Sequence, residues 1–318
     1  MGGNMKKPKL IVITGPTGIG KTSLSIEIAQ AIDGEIINGD SMQIYRELAI
    51  GTAKPTDAEQ AKVPHHLVDI RSVDQSFSAS EFKLEAQKAM KKIFTKNHQP
   101  ILVGGTGLYL EAFLYDLSLG GKVEPHPEFR QKMTQLAERD GSYVVYEQLK
   151  KVDPEAAKQV HPNNVRRIIR MLEVCEFSEQ LFSEQQETHQ HHTSPYDLFV
   201  IALDTNRAQL YERINERVDV MLEAGLLEEA QWLFRQDLPT DNQAVKAIGY
   251  KELFPYFTKE AELEDVINQL KQDSRRYAKR QLTWIRNRMT DVHYIAPLSL
   301  TNEDKETLIS DIKYFLNH

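Results

Sequence analysis

The sequence predicts an α/β fold with a parallel sheet and an inserted helical domain. Short apolar runs without internal polar residues recur along the chain, as in parallel strands that are buried on both faces. Segments with apolar residues at helical spacing follow these runs, which is typical of βαβ units. This alternation stops between residues 118 and 198 and then resumes.

The first strand, residues 10–14, leads into a glycine-rich turn that ends in Lys-Thr. Leu24, Ile28 and Ile32 then recur at helical spacing, so the turn lies between a strand and a helix N-terminus. This is the context of the G-x-x-x-x-G-K-[ST] motif, in which unpaired backbone N–H groups bind phosphate. We therefore predict a P-loop NTPase-like core and expect Thr22 to hold Mg²⁺. The predicted phosphate-binding residues are Gly15, Pro16, Thr17, Gly18, Ile19, Gly20, Lys21 and Thr22.

Composition restricts the class of protein. The 318 residues are 41% hydrophobic and 27% charged, which is ordinary for a globular chain. No apolar run approaches the roughly 18 residues that cross a bilayer, so we expect a cytoplasmic protein without a membrane partner. The single cysteine, Cys175, excludes an internal disulfide and a cysteine-based zinc site. Because the net charge is −7, a polyanionic partner requires a local basic patch.

Polar residues follow the next two core strands. Asp40 comes after a short strand, at the edge of the sheet where open α/β folds bind ligands. Its carboxylate could face the bound phosphate, or it could cap the next helix. A helix predicted over residues 80–96 leads to the strand 100–104, which ends at Thr106. A typical P-loop NTPase has an acid for Mg²⁺ at this point.

The interruption from 118 to 198 reads as helices separated by breaks that contain Gly or Pro, and we assign it to an inserted helical domain. The core is assigned to residues 1–117 and 199–318. Arg166 and Arg170 lie one turn apart on one predicted helix. The polar segment 183–195, with His189, His191 and His192, is expected to be a solvated loop rather than a metal site.

Basic residues accumulate after the strand at 199–203. Arg207, Arg213 and Arg217 lie off the apolar stripe of the following helix, where arginines either clamp phosphate or face solvent. The segments 243–251 and 274–286 interleave cations with aromatic residues. This pattern fits a surface for the RNA backbone, although a solvated basic face has the same appearance.

Nine segments in order resemble the tRNA dimethylallyltransferases. These are residues 15–22, 40–45, 51–55, Asp69, 104–109, 166–174, 210–215, 247–253 and 276–284. The resemblance implies transfer of the dimethylallyl group of dimethylallyl diphosphate to N6 of adenosine 37 in tRNA. The implied partners are dimethylallyl diphosphate and the tRNA anticodon stem-loop, and we expect a monomer. We also expect an enzyme of the bacterial type, because a chain with one cysteine cannot form a zinc finger with cysteine ligands.

The resemblance also implies roles for individual residues. Asp40 would be the base, Thr106 would hydrogen-bond the departing oxygen, and Lys21, Arg207 and Arg213 would neutralise the diphosphate. The reactive adenine would be turned out of its stack to reach them. The residues expected to contact tRNA are Asp40, Ser41, Met42, Gln43, Thr106, Arg130, Arg166, Arg167, Arg170, Lys246, Gly249, Tyr250, Arg276 and Lys279.

Two other functions use the same phosphate loop. A nucleotide or metabolite kinase would turn over ATP with a small acceptor and would need no RNA. An RNA-binding P-loop protein without enzymatic activity would bind tRNA and leave dimethylallyl diphosphate unchanged.

Overall fold

A computed structural model describes residues 6–117, 123–124, 126–186 and 193–318. The chain divides into two compact units. One comprises Met1–Leu114 and Ser194–His318, and the other comprises Tyr115–Thr193. The second unit falls in the stretch where the sequence predicts the helical insertion.

The first unit contains a parallel sheet, with six strands among the described residues in the order β3-β2-β4-β1-β5-β6. The strands are β1 (Lys9–Thr14), β2 (Gly34–Asn38), β3 (His65–His66), β4 (Gln99–Gly104), β5 (Asp197–Leu203) and β6 (Val292–Ile295). In the centre, Ile13 of β1 pairs with Val103 of β4 and with Ile201 of β5. The apolar residues of β1 are fully shielded from solvent, as the unbroken apolar run predicts.

Helices pack on both faces and at the end of this sheet. They are α1 (Lys21–Ile32), α2 (Asp57–Gln60), α3 (Ala79–Thr95), α4 (Gly107–Leu114), α10 (Arg207–Glu223), α11 (Leu226–Phe234), α12 (Phe254–Phe257), α13 (Leu263–Arg288) and α14 (Asn302–Asn317), with a 3₁₀ turn at Lys251–Leu253. In α3 a capping box of Ser78 and Glu81 fixes the start, and Phe82, Met90 and Ile93 are buried at helical spacing. The helix predicted over residues 80–96 is thereby confirmed.

The second unit is helical throughout its described part. Its helices are α5 (Pro127–Asp140), α6 (Ser142–Val152), α7 (Pro154–Lys158), α8 (Val165–Phe177) and α9 (Phe182–Gln186). Val145, Leu149, Ile168 and Met171 are buried in a core that these helices share. This unit therefore has an apolar core of its own.

The strand order brings three turns to one edge of the sheet. The strands β2, β4 and β1 are neighbours, so the turns at their carboxyl ends are adjacent. The N–H of Gly39 after β2 donates to the carbonyl of Val103 at 2.7 Å, and the N–H of Thr106 donates to the carbonyl of Gly39 at 3.4 Å. The turn that carries Asp40 is therefore joined to the turn that carries Thr106. None of the helices in the described ranges is both long and apolar enough to cross a bilayer.

Candidate active site

The glycine turn between β1 and α1 has the conformation of a phosphate loop. Gly20 caps α1 with a φ of 106°, a left-handed conformation that glycine adopts without steric cost. Lys21 is the first residue of α1, and its Nζ donates to the carbonyl oxygens of Gly15 at 2.9 Å and Pro16 at 2.8 Å. The free N–H groups at the start of α1 and the Lys21 ammonium group therefore supply positive charge at the same place.

Asp40 lies in a tight turn directly after β2. Its Oδ1 accepts the N–H of Met42 at 2.8 Å, which closes an Asx turn. All of residues 41–56 are described, and no helix begins among them, since the next helix, α2, is capped by Thr56. The alternative in which Asp40 caps the next helix is therefore wrong.

Asp40 lies in a buried and charged environment that shifts its pKa. Burial raises the pKa of Asp40, and the Met42 N–H and the charges of Lys21 and Arg217 oppose that shift. In turn, burial lowers the pKa of Lys21 from 10.5 to about 8, while the Asp40 charge opposes the shift. A carboxyl group with a raised pKa beside cations suits a reaction in which a proton is removed next to a phosphate group.

Arg213 and Arg217 of α10 both face the phosphate loop. The Nε of Arg213 donates to the carbonyl of Gly18 at 3.1 Å. Arg217 lies one turn further along the helix, and burial lowers its pKa while its charge interacts with Asp40 and Arg213. The sequence analysis did not assign Arg217 to the site, although its four-residue spacing from Arg213 was a usable signal.

Arg207 does not lie with these arginines. It is exposed, its Nε donates to the Tyr211 hydroxyl at 3.0 Å, and its guanidinium lies over the Tyr211 ring at 5.1 Å. Six residues separate Arg207 from Arg213, which rotates their side chains to different faces of α10. The diphosphate contact of Arg207 stays a prediction, while Arg217 is the arginine whose charge interacts with Asp40 and Lys21.

Thr106 is held against the turn of Asp40. Its Oγ1 accepts the N–H of Ser41 at 3.0 Å and donates to the Ser41 hydroxyl at 3.3 Å. The Tyr277 side chain of α13 also hydrogen-bonds to Thr106. Next in the same turn, Gln43 Nε2 donates to the carbonyls of Thr52 at 3.1 Å and Ala53 at 3.2 Å. Ser41 and Gln43 thus fix the loops around Asp40.

Gln281 of α13 is a further member of the site that the sequence analysis missed. Its Oε1 accepts the N–H of Thr17 in the phosphate loop at 2.9 Å, and its Nε2 donates to the carbonyl of Gly105 at 3.0 Å. The side chain is buried, so both bonds are shielded from water. A neutral amide within the most basic segment of the chain gives no signal of this role from sequence alone.

The residues of the first unit that are predicted to contact RNA differ in their exposure to solvent. Lys246, Arg276 and Lys279 are exposed, and Arg276 also pairs with Asp273 at 3.1 Å. Gly249 and Tyr250 are buried, and the Tyr250 hydroxyl donates to Glu229 at 2.6 Å. Since Tyr250 presents no surface to a ligand, its predicted direct RNA contact is corrected to a structural role.

In the second unit, Arg130 and Arg170 form ion pairs with Glu173, whose side chain is fully buried. Arg130 binds both carboxylate oxygens at 2.7 Å, so the pair is bidentate. Arg166 and Arg167 are exposed on the first turn of α8. RNA contact by all four arginines stays a prediction. Arg130 and Arg170 also have a structural role, because they pair with the buried Glu173. The histidines at positions 189, 191 and 192 lie outside the described residues.

The fold and site define a P-loop α/β protein in which a glycine loop, three cations and a carboxylate meet, with Thr106 in place of the usual acid. A family model described as IPP transferase matches residues 43–288. The chain belongs to the IPP transferase family.

Similar proteins agree with this assignment. A Latilactobacillus sakei protein named tRNA dimethylallyltransferase is 49% identical over 311 residues, which cover 95% of this chain and 99% of that protein. A solved structure of the full-length tRNA isopentenylpyrophosphate transferase from Bacillus halodurans is 40% identical, with a TM-score of 0.73, and covers 98% of this chain and 97% of that chain.

A eukaryotic dimethylallyltransferase, described in its crystal structures as acting on tRNA, is 32% identical with a TM-score of 0.83. The match covers 98% of this chain and 80% of that chain. These comparisons confirm the predicted fold class and the predicted family.

Proposed function

We propose that this protein transfers the dimethylallyl group of dimethylallyl diphosphate to N6 of adenosine 37 in tRNA and releases diphosphate. The observation that carries the proposal is the Asp40 carboxyl group, which has a raised pKa and lies beside Lys21 and Arg217 at the phosphate loop. Family membership supports the same activity.

The site provides for both charges that develop in such a reaction. As the C–O bond of the allylic carbon breaks, negative charge develops on the diphosphate, where Lys21, Arg213 and Arg217 stabilise it. The new bond joins that carbon to N6, which becomes positively charged as it forms. Asp40 then accepts the N6 proton. Thr106 would hydrogen-bond the departing oxygen, and its hydrogen bond with Ser41, which holds it beside the turn of Asp40, supports this role.

Magnesium fits this site as an ion held mainly by the substrate. Among the described residues, no group of three or more His, Cys, Asp or Glu side chains is placed to hold a metal. Mg²⁺ usually keeps several waters and binds one or two protein groups together with substrate phosphates. Thr22, the second residue of α1, offers the hydroxyl for this purpose, and the ion would neutralise part of the diphosphate charge.

The tRNA would bind by its anticodon stem-loop, with the reactive adenine turned out of its stack. Exposed cations in both units, among them Arg166, Arg167, Lys246 and Lys279, are proposed to contact its phosphates. A monomeric state and a cytoplasmic location are expected.

A kinase is not favoured, because β4 ends in the turn of Thr106 where a kinase of this fold would present an acid. The direct test incubates the protein with labelled dimethylallyl diphosphate and unmodified tRNA, with labelled ATP as the control. We expect label from the diphosphate substrate to enter tRNA without ATP. Phosphate transfer from ATP, with no prenyl transfer, would refute the proposal.

A further inference from the structure

The loop at residues 49–53 carries no charged side chain, yet one carboxylate holds it. Glu229 on α11 accepts hydrogen bonds from three consecutive backbone N–H groups of this loop. The distances are 2.8 Å from Ala49, 3.0 and 3.1 Å from Ile50 to the two carboxylate oxygens, and 2.9 Å from Gly51. Successive backbone N–H groups that converge in this way form an anion-binding concavity. The Glu229 carboxylate is the anion that fills it.

Tyr250 adds a fourth donor to this carboxylate. Its hydroxyl donates to Glu229 at 2.6 Å, and its side chain is fully shielded from solvent. The ring lies against Gly51, where a Cβ would come within 2.6 Å of a ring atom, so a larger residue would displace the ring. Burial and the Glu229 charge raise the pKa of the Tyr250 hydroxyl, which keeps it a neutral donor. We call Glu229 with these four donors the Glu229 clamp.

The clamped loop also holds the turn of Asp40. The carbonyl oxygens of Thr52 and Ala53 accept from Gln43 Nε2 at 3.1 and 3.2 Å. The backbone N–H of Gln43 in turn hydrogen-bonds to the Asp40 carboxylate. A series of hydrogen bonds therefore connects Glu229 to Asp40 through the loop and Gln43.

A second charge anchors the end of this segment independently of Glu229. The Nζ of Lys54 donates to the carbonyl oxygens of Tyr45 at 2.7 Å and Arg46 at 3.2 Å, and it pairs with Asp69 at 2.5 Å. This anchor remains when Glu229 is changed. Loss of the Glu229 carboxylate should therefore loosen residues 49–53 without releasing the whole segment.

We propose that Glu229 is a positioning residue for the transfer reaction. Through residues 49–53 and Gln43, it holds the Asp40 carboxylate at the place from which that carboxylate accepts the N6 proton. Because a misplacement of about 1 Å can cost about 10²-fold in rate, a loosened loop lowers the rate of proton transfer more than it weakens substrate binding. The inference rests on the proposed function for the reaction, and it adds to the site a residue of α11.

Hydrogen–deuterium exchange tests the Glu229 clamp without any substrate. Glu229→Gln keeps the shape of the side chain, but it removes the charge and turns an amide NH₂ group toward backbone donors. Exchange at residues 49–51 should become roughly tenfold faster or more, because their N–H groups lose a charged acceptor. The matched control is Glu228→Gln, at the exposed neighbour on α11, which should exchange as the wild type does. Unchanged exchange in Glu229→Gln would overturn the proposal.

Steady-state kinetics separates positioning from binding. Glu229→Gln should lower kcat by roughly 10- to 10²-fold, while KM for dimethylallyl diphosphate stays within about threefold of the wild type. Glu229→Asp keeps the charge but is one methylene shorter, so it should lose less in kcat. Thermal unfolding of the same samples shows how much protein is folded. A wild-type kcat in Glu229→Gln, or a loss confined to KM, would refute the positioning role.

The variant Asp40→Asn distinguishes positioning from a general loss of structure. Once residue 40 can no longer take the proton, its position matters little to the rate. Glu229→Gln should then lower the residual single-turnover rate by less than about threefold. An equal loss with Asp40 and with Asp40→Asn would show that Glu229 acts on structure alone, and it would overturn the proposal.

The exchange experiment and the transfer assay distinguish the two proposals. A wild-type protein that transfers no dimethylallyl group would refute the proposed function, and with it the role of Glu229 in transfer, while faster exchange in Glu229→Gln would still establish the Glu229 clamp. A transferase whose exchange and kcat are independent of Glu229 would refute this inference and retain the proposed function.

Discussion

Two carboxylates near opposite ends of β2 show how hydrogen-bond partners rather than burial alone decide the role of an acid. Glu35 is the second residue of β2, and Asp40 follows the other end of that strand. Glu35 is fully shielded from solvent, yet its carboxylate accepts three hydrogen bonds. They come from Lys96 at 2.8 Å and from His66 and His98 at 2.6 Å each. These donors lower its pKa to about 2.

Asp40 has no such set of partners. Its carboxylate accepts hydrogen bonds from the backbone N–H groups of Met42 and Gln43, and these bonds together with Lys21 and Arg217 offset its burial only in part, so its pKa is raised. A carboxylate whose donors hold it ionised stabilises the fold, whereas one that is short of donors is available to take a proton.

The largest effect is expected for Asp40→Asn. The amide keeps the shape and can accept the Met42 N–H, but it cannot remove the N6 proton or balance its charge. Single-turnover transfer should fall by roughly 10²- to 10⁴-fold, the usual range for general base catalysis. Binding of both substrates and the thermal midpoint of unfolding should change little. A wild-type rate in this variant would remove Asp40 from the mechanism.

Arg217→Gln should lower kcat/KM by roughly 10²-fold, because one stabiliser of developing charge is lost from a partly buried site. The matched control is Arg207→Gln on the same helix, whose side chain is exposed beside Tyr211. It should stay within about threefold of the wild type. The opposite ranking would restore the sequence-based assignment of Arg207.

Glu35→Gln should act on stability instead of rate. The amide lacks the charge and one of the two acceptor oxygens, so the hydrogen bonds from Lys96 and the two histidines are weakened or lost, which should cost about 2 kcal/mol in the free energy of unfolding. Transfer by the folded protein should remain at the wild-type rate. Denaturant unfolding and single-turnover transfer on the same sample measure both quantities.

The difference in unfolding free energy between the wild type and Glu35→Gln should depend on pH with a definite sign. The pKa of Glu35 in the folded protein, about 2, lies below its ordinary value of 4.5. Its stabilisation is therefore fully present above pH 4.5 and is lost as the pH falls from 4.5 toward 2. Wild type and Glu35→Gln should differ most near neutral pH and converge at the acidic end. A constant difference across that range would contradict the assigned role.

Lys21 should make diphosphate binding dependent on pH. Its pKa is about 8, so the free protein loses this positive charge as the pH rises above 8, and bound diphosphate would restore it by proton uptake. The dissociation constant for inorganic diphosphate should then rise above pH 8, by at most about tenfold per pH unit. Lys21→Arg should give a flatter profile, because arginine stays charged. Calorimetry from pH 7 to 10 measures both.

The smallest effect is expected when the exposed arginines of the second unit are replaced. Arg166→Gln with Arg167→Gln should weaken tRNA binding several-fold and make log K less steep against log salt by roughly 0.7–0.9 per lost contact. Arg130→Gln with Arg170→Gln is the contrasting pair. It removes both cationic partners of the buried Glu173 and leaves the His126 N–H as a donor, so it should lower the stability of the protein as well. An unchanged salt slope in the first pair would assign Arg166 and Arg167 to a solvated face.

Local sequence patterns predicted the parts of the fold that are determined by residues close together in the sequence. The strand, glycine loop and helix over residues 9–32 were predicted because apolar runs and motif spacing act over a few residues. Strand β6 was not predicted, since Val292–Ile295 is only four residues long, contains His293 and forms at the edge of the sheet beside β5. The sheet edge also identified Asp40 and Thr106 correctly as neighbours.

The missed parts of the site depend on residues far apart in sequence. The burial of Tyr250 follows from Glu229, which lies on another helix and supplies the acceptor for its hydroxyl. The pairing of Arg130 on α5 with Glu173 on α8 likewise requires two helices of the second unit to pack. Charge in a sequence marks a possible RNA surface, but it does not show which cations already have an anionic partner.

The hydrogen bond between Thr17 and Gln281 also has a consequence for the newly made chain. The acceptor of the Thr17 N–H lies 264 residues further along. At a synthesis rate of about 5–20 residues per second, the ribosome makes Gln281 roughly 15 to 50 seconds after Thr17. Most of the sheet can form during that interval, while the phosphate loop still lacks this contact. The complete site therefore first exists after α13 has emerged from the ribosome.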